Sequence, residues 1–329
     1  MTESDNPLTV ATKARSVSSL LVLFETTVKF DDYQDALLVS LRNNYPGCLA
    51  ILLSKVQHPD FRRRLLDGDS LFNVLYTQND GNQMLNFVSD GICLPEMTKT
   101  LITCEEPVAG FNLKTTNYPL YTLISCAFND TRPISHQYLT CFNMLLSAGA
   151  EIDCKEYESD NTSFRKISRE KFSTLVECIL TNATKSQLLV ANPTFVKTLV
   201  KSFLVQLMTH LSFKRYRNIT EILFTYIRHC AVFGLDIVIL KLMLKHGADP
   251  GYQHRDTDMY PINVYFDHLF PHLEKYEVND SVNYFTSEID NLALLCRYDK
   301  TCILGKGLDK NYVCFLYCNP TDAEKWPRP

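Results

Sequence analysis

The chain has 329 residues, 46% of them hydrophobic and 21% charged, with 11 glycines and a formal net charge of -4. That composition supplies a substantial core and excludes a disordered chain, and the small acidic excess argues against a nucleic-acid partner, which needs basic residues gathered on one face. Thr2, Glu3, Ser4 and Asp5 carry no secretory pattern and no run of about twenty apolar residues occurs, so neither secretion nor a membrane partner is expected.

In chain order, a loose, disordered tail is expected over residues 1–14. Apolar residues recur at helical spacing over 17–27, 33–42 and 48–56, and residues 15–60 are read as an N-terminal helical cap or a degenerate repeat. A stack of repeated units requires a cap, because its first member would otherwise expose the face on which a predecessor should pack. Asp69-Ser70-Leu71-Phe72 opens a weakly marked unit that closes at Gly91. Asn117-Tyr118-Pro119-Leu120-Tyr121 opens another, which ends on Leu145-Leu146-Ser147-Ala148-Gly149-Ala150-Glu151. Residues 129–136 and 151–166 read as insertions that lengthen loops or helices, and helical spacing returns over 172–180, 195–208 and 219–227. The apolar region 188–213 is interrupted by Pro193, Lys197, Lys201 and His210, and is expected to be a buried helix pair. Met243-Leu244-Lys245-His246-Gly247-Ala248-Asp249 then repeats the earlier closing phrase, and Tyr260-Pro261-Ile262-Asn263 opens a last unit. The units span 61–277, and the polar Val278-Asn279-Asp280-Ser281 starts a C-terminal helical module over 278–329.

The repeated phrase has a physical reason. Gly149 and Gly247 follow apolar helical stretches, and glycine takes the left-handed conformation past a helix end without a side-chain clash. Ala150 and Ala248 then pack closely beneath the next unit. These closings, with openings about thirteen residues later, resemble the ankyrin repeat, whose unit of about 33 residues is a turn and two antiparallel helices. The resemblance implies an all-α, ankyrin-type helical solenoid, in which Gly91, Gly149, Ala150, Gly247, Ala248, Pro119 and Pro261 shape the turns. It implies a curved, preorganised surface that recognises a protein partner. The openings depart from the family in lacking its threonine and in placing Tyr121 or Asn263 where histidine is usual. Turns between units carry binding chemistry, which makes Asn117, Tyr118, His254, Arg255, Asp256 and Tyr260 the candidate partner-binding residues.

Twelve cysteines sit mostly singly in apolar helical stretches, as at Cys126, Cys141, Cys178 and Cys230. There a free thiol packs as a small hydrophobe, so a reducing cytoplasm or nucleus is expected. Cys296, Cys302, Cys314 and Cys318 lack the paired spacing of a zinc site, and no metal or cofactor is expected. The basic runs Arg62-Arg63-Arg64 and Lys214-Arg215-Tyr216-Arg217 are read as solvated helix ends or loops. No phosphate loop, nucleophile elbow, paired-histidine motif or dinucleotide fingerprint is present, so the chain is not expected to be an enzyme.

Leu292-Ala293-Leu294-Leu295-Cys296-Arg297, with Ile303-Leu304-Gly305, is similar to the first helix of the suppressor-of-cytokine-signalling box. That likeness implies that Leu292, Leu295 and Cys296 dock into elongin C and bring elongin B and a cullin with it. Lys300 replaces an apolar residue of the box, and the tail lacks the Leu-Pro-x-Pro that selects a cullin. The layout resembles the ankyrin-and-SOCS-box substrate receptors of ubiquitin ligases. Two alternatives stand beside this one: a plain ankyrin scaffold whose last helix only caps the stack, and an enzyme with an unrecognised site.

Overall fold

A computed structural model of the chain describes residues 6–25, 30–55, 71–78, 94–104, 119–130, 135–150, 175–210, 219–254, 259–261, 263–265, 290–291 and 294–295. Gly91, Asn117, Tyr118, Arg255, Asp256, Leu292 and Cys296 lie outside the described residues. The described chain is mostly helical, without a strand among its described residues, and divides into two compact units, Met1–Phe203 and Leu204–Pro329.

The first unit opens with α1 (Pro7–Lys13) and α2 (Val17–Leu23), followed by α3 (Phe30–Arg42) and α4 (Pro46–Lys55). Next come α5 (Leu71–Gln78), α6 (Leu94–Thr103), α7 (Pro119–Asn129), α8 (Ser135–Ser147), α9 (Leu175–Lys185) and α10 (Leu188–Ala191). α11 (Pro193–Thr209) runs through the division at 203 and 204. Proline stands first in α1, α4, α7 and α11, where its missing N–H is one the helix could not use and its fixed φ suits the first turn.

Residues 7–13 are a helix and not the expected tail. The Asn6 side chain accepts from the Thr9 N–H at 2.7 Å and caps α1, and Leu8, Thr9, Ala11 and Thr12 are buried. With two apolar residues on its inner face the helix has too weak a periodicity to read, and the Asn-Pro start was its only sequence signal.

The helices of this unit pack in an ordered way. α1 lies on α2, α3 on α4, α5 on α6 and α7 on α8; α1 also packs on α3, α3 on α5, α5 on α7 and α7 on α9, while α2 packs on α4, α4 on α6 and α6 on α8. First helices thus follow first helices and second helices follow second helices. Helices inside the rows bury their apolar faces against a partner and against neighbours on either side, which no single pair could do alone.

The core between the rows is largely apolar, and a polar thread crosses it. The Tyr76 hydroxyl of α5 lies 3.0 Å from the Thr98 hydroxyl of α6, and Thr98 donates to Cys141 Sγ of α8 at 3.3 Å. Burial holds the Tyr76 phenol well above its usual range, the Cys141 thiol adds to the shift, and the Thr98 hydroxyl opposes it. At the far end of the unit Phe203 packs against Phe128 and, edge-on, against Phe142, with ring centroids 5.9 and 5.0 Å apart.

α10 departs from the expectation of a buried helix pair over 188–213. α11 buries Val196, Leu199, Val200 and Phe203, but α10 buries nothing, and Val190 is 91% exposed. Apolar composition alone had suggested burial, and the Asn192-Pro193 break releases α10 from the helix that follows.

In the second unit α12 (Ile219–Phe233) and α13 (Ile237–Lys245) pack on each other. Gly234, at φ 71°, makes the turn between them. Asp236 caps α13 by accepting from the Val238 and Ile239 N–H groups at 2.9 and 3.3 Å, and its own N–H donates to the Tyr226 hydroxyl at 2.9 Å.

Candidate protein-interaction site

Two helices, one in each unit, end in the same way. At α8 the Gly149 N–H donates to the Leu146 carbonyl at 3.1 Å and the Ala150 N–H to the Leu145 carbonyl at 3.0 Å. At α13 the Gly247 N–H donates to Leu244 at 3.0 Å and the Ala248 N–H to Met243 at 3.1 Å. These are the paired bonds of a Schellman closure, which satisfies carbonyls that the helix end leaves without partners. Gly149 has φ 87° and Gly247 φ 94°. A side chain built at either glycine would meet no atom within 4 Å, so glycine is required by the backbone conformation and not by lack of space. Burial matches position for position: Leu145 and Met243, Leu146 and Leu244, and Ala150 and Ala248 are all buried, while Ser147 and Lys245 are exposed.

Two further helices close in the same fashion without glycine. At α3 Asn44, φ 57°, donates to Leu41 and the Tyr45 N–H donates to Ser40; at α1 Arg15, φ 54°, donates to Thr12 and the Ser16 N–H donates to Ala11. A search for glycine misses both. Asparagine tolerates the left-handed region better than most residues, which was a usable signal at Asn44. Arginine carries no such signal, but at residue 15 its guanidinium lies 4.5 Å above the Tyr45 ring in a cation–π contact.

The segment after α13 holds the described candidate partner residues. Its path is fixed by one face of α12. The Asp249 N–H donates to Thr220 Oγ1 at 3.1 Å, and the Gly251 N–H donates to Asp249 Oδ1 at 2.9 Å. The Tyr252 hydroxyl donates to Glu221 Oε1 at 3.0 Å, and His254 Nε2 lies 3.1 Å from Glu221 Oε2. The His254 ring stacks on Phe224 with centroids 4.2 Å apart, and the His254 N–H donates to the Met259 carbonyl at 2.9 Å. Thr220, Glu221 and Phe224 fall on adjacent positions of the helix, so one face holds the whole segment.

His254 therefore fastens the segment, its imidazole held between a carboxylate and a ring. Tyr260 stands differently. Its carbonyl accepts from the Asn263 and Val264 N–H groups at 3.0 and 3.2 Å and opens a helical turn with the buried Pro261 in first place, while its side chain is part exposed. Pro119 is likewise buried at the start of α7. The His254 N–H bond to the Met259 carbonyl ties together the described parts of the segment. Among the described residues no cluster of three or more His, Cys, Asp or Glu could hold a metal ion.

Near the C-terminus Leu295 and Asn291 are buried, and the Asn291 side-chain amide donates to the Leu235 carbonyl at 3.5 Å. Leu295 faces inward, so this member of the expected docking set belongs to the packing of the second unit. The described cysteines Cys48, Cys104, Cys126, Cys141 and Cys178 are free thiols. Burial pushes the Cys48 thiol upward against the opposing effect of the Arg15 charge. None of the described helices is long and apolar enough to cross a membrane. Comparison with family models, curated proteins and solved structures finds no match to this chain.

Proposed function

We propose that the chain is a non-catalytic protein-interaction scaffold of the ankyrin type, a solenoid of degenerate repeats that offers its unit-to-unit connections to a protein partner. The observation that carries this is the identity of the two closings at Gly149 and Gly247 in conformation, hydrogen bonding and burial. The pairwise order of helices in the first unit supports it as well. A stack of this kind binds by preorganisation: the turns are held before the partner arrives, and little ordering is left to oppose association. The Glu221, Phe224 and His254 contacts fit that role, because they hold the segment bearing Tyr260 against α12. Buried free thiols suit a reducing cytoplasm or nucleus.

The test is partner affinity. With the partner recovered by cross-linking, Tyr260→Ala and Arg255→Ala are each expected to weaken binding by about 1 to 3 kcal/mol, as anchor residues do. Unchanged affinity in both variants would remove this segment from the interface.

A second function rests on the sequence around Leu292 and Cys296, one helical turn apart: recruitment of elongin B and C as the substrate receptor of a cullin ubiquitin ligase. Leu295 favours the plain scaffold, in which this helix closes the last unit. Co-purification with elongin B and C separates the two. A ligase receptor binds them and loses them in a folded Leu292→Arg, Cys296→Arg variant, whereas a scaffold binds them in neither form.

A further inference from the structure

The connection between α9 and α11 contrasts with the three tightest connections of the chain. α1 and α2 are joined by residues 14–16, α3 and α4 by residues 43–45, and α12 and α13 by residues 234–236, each with one residue in the left-handed conformation. α9 and α11 are joined by residues 186–192, and four of these form α10. Residues 79–93 and 130–134 also make longer links, between α5 and α6 and between α7 and α8, so the α9–α11 link is singled out by what it displays and not by its length.

The protrusion is nonetheless built firmly. The Ser186 hydroxyl donates to the Phe128 carbonyl and accepts from the Leu188 N–H at 3.1 Å. The Leu189 N–H donates to the Ser186 carbonyl at 3.0 Å and the Asn192 N–H to the Leu188 carbonyl at 2.7 Å. Asn192 Oδ1 in turn accepts from the Phe195 N–H at 3.1 Å. What this framework displays is apolar: Leu188 and Leu189 are part exposed, and Val190 is 91% exposed, more than any other large hydrophobic among the described residues.

The sequence around it is basic, the nearest carboxylate on α9 being Glu177 at that helix's opposite end. From residue 178 to residue 220 the sequence contains no Asp or Glu, while Lys185, Lys197, Lys201, Lys214, Arg215 and Arg217 all fall within it, in a chain whose net charge is -4. Lys185 ends α9 and Lys197 lies in the first turns of α11, both exposed. Thr194, Lys197, Thr198 and Lys201 recur at the spacing of one helical face. The carboxylate nearest in the chain on the adjoining pair is Asp130, which is buried and accepts from the Tyr138 hydroxyl at 2.7 Å.

We propose that α10 and the lysines beside it are a docking tip for an acidic protein segment that carries apolar residues, Val190 entering the partner while Lys185 and Lys197 meet its carboxylates. The tip is built from residues 186–192 and the helix ends beside them, far in sequence from the candidate residues His254 and Tyr260, so it does not depend on the ankyrin assignment. An anionic membrane is the competing occupant. One projecting valine and a few lysines fall short of stable membrane anchoring, for which even a full acyl chain alone is marginal. A protein can enclose the valine in a pocket and add contacts of its own.

The experiment is fluorescence anisotropy of a short labelled peptide of alternating glutamate and leucine pairs, titrated with the full chain. Saturable binding is expected, weakened about tenfold or more by Val190→Asp and by Lys197→Glu, and weakened by added salt. Val238→Asp, an exposed valine on α13, should bind as the parent does, and circular dichroism should show all variants folded. Absence of saturable binding overturns the proposal, as does binding that Val190→Asp and Lys197→Glu leave unchanged. Binding to phosphatidylserine vesicles in place of the peptide would overturn it in favour of a membrane surface.

Discussion

Among the described residues Arg15, Asn44, Gly149, Gly234 and Gly247 bear the left-handed conformation just past a helix end, and they differ in what that demands of them. At Gly149 and Gly247 no side chain opposes the geometry, whereas any other L-residue there meets a conformational penalty of about 1–2 kcal/mol. Gly247→Ala is therefore expected to destabilise the second unit by about 1 kcal/mol, with no contribution from crowding, since nothing lies within reach of a new methyl group. Asn44→Gly runs the opposite way. It removes the strain of a side chain at φ 57° and should be neutral or stabilising by up to about 1 kcal/mol. Urea unfolding of the two variants checks both signs, and a Gly247→Ala midpoint equal to the parent's would contradict the closure described for α13. These turns also show what the sequence disclosed. Both glycines were legible because glycine past an apolar run has one common use, while Arg15 has the same backbone and no sequence mark, its place being held by the Tyr45 ring.

Among elements, α5, α6 and α8 are joined by the Tyr76, Thr98 and Cys141 thread. Because Thr98 donates to sulfur, it is left to accept from Tyr76, and its removal strands a phenol that burial keeps neutral. Thr98→Val should destabilise by about 1–3 kcal/mol, the penalty for a buried polar group without a partner. Tyr76→Phe placed in the Thr98→Val background should recover part of that loss, because the stranded hydroxyl is then gone. Purely additive losses in the double variant would mean that the two hydroxyls are not coupled. At this scale helical content was read well and helix ends less so. The stretches 33–42, 195–208 and 219–227 each lie inside α3, α11 and α12, since an amphipathic period survives a few wrong residues. α1 was lost to a weak period, and α10 was misread because an apolar run states composition and not what surrounds it.

At the scale of the whole molecule, each described unit is understood from helix pairs and their closings. The candidate site was partly legible: the segment from His254 to Tyr260 stands where the sequence suggests a turn between two repeats, but the anchoring of His254 by Glu221 and Phe224 comes from residues thirty or more positions earlier, which sequence spacing cannot join. The basic runs at 62–64 and 214–217 read in isolation as solvated helix ends or loops, and the wider absence of acids from 178 to 220 gains meaning only beside an exposed α10.

The central claim is that the first unit is a stack of helix pairs whose stability comes from neighbour on neighbour. Native-state amide hydrogen exchange tests it directly. A stack opens from its end, so the amides of Ala14 and Ser16, bonded to Val10 and Ala11, should exchange through openings at least about 2 kcal/mol easier than those of Leu145 and Leu146 in α8. One common opening free energy across α1 to α9 would show a single cooperative core and contradict the stacked-pair account.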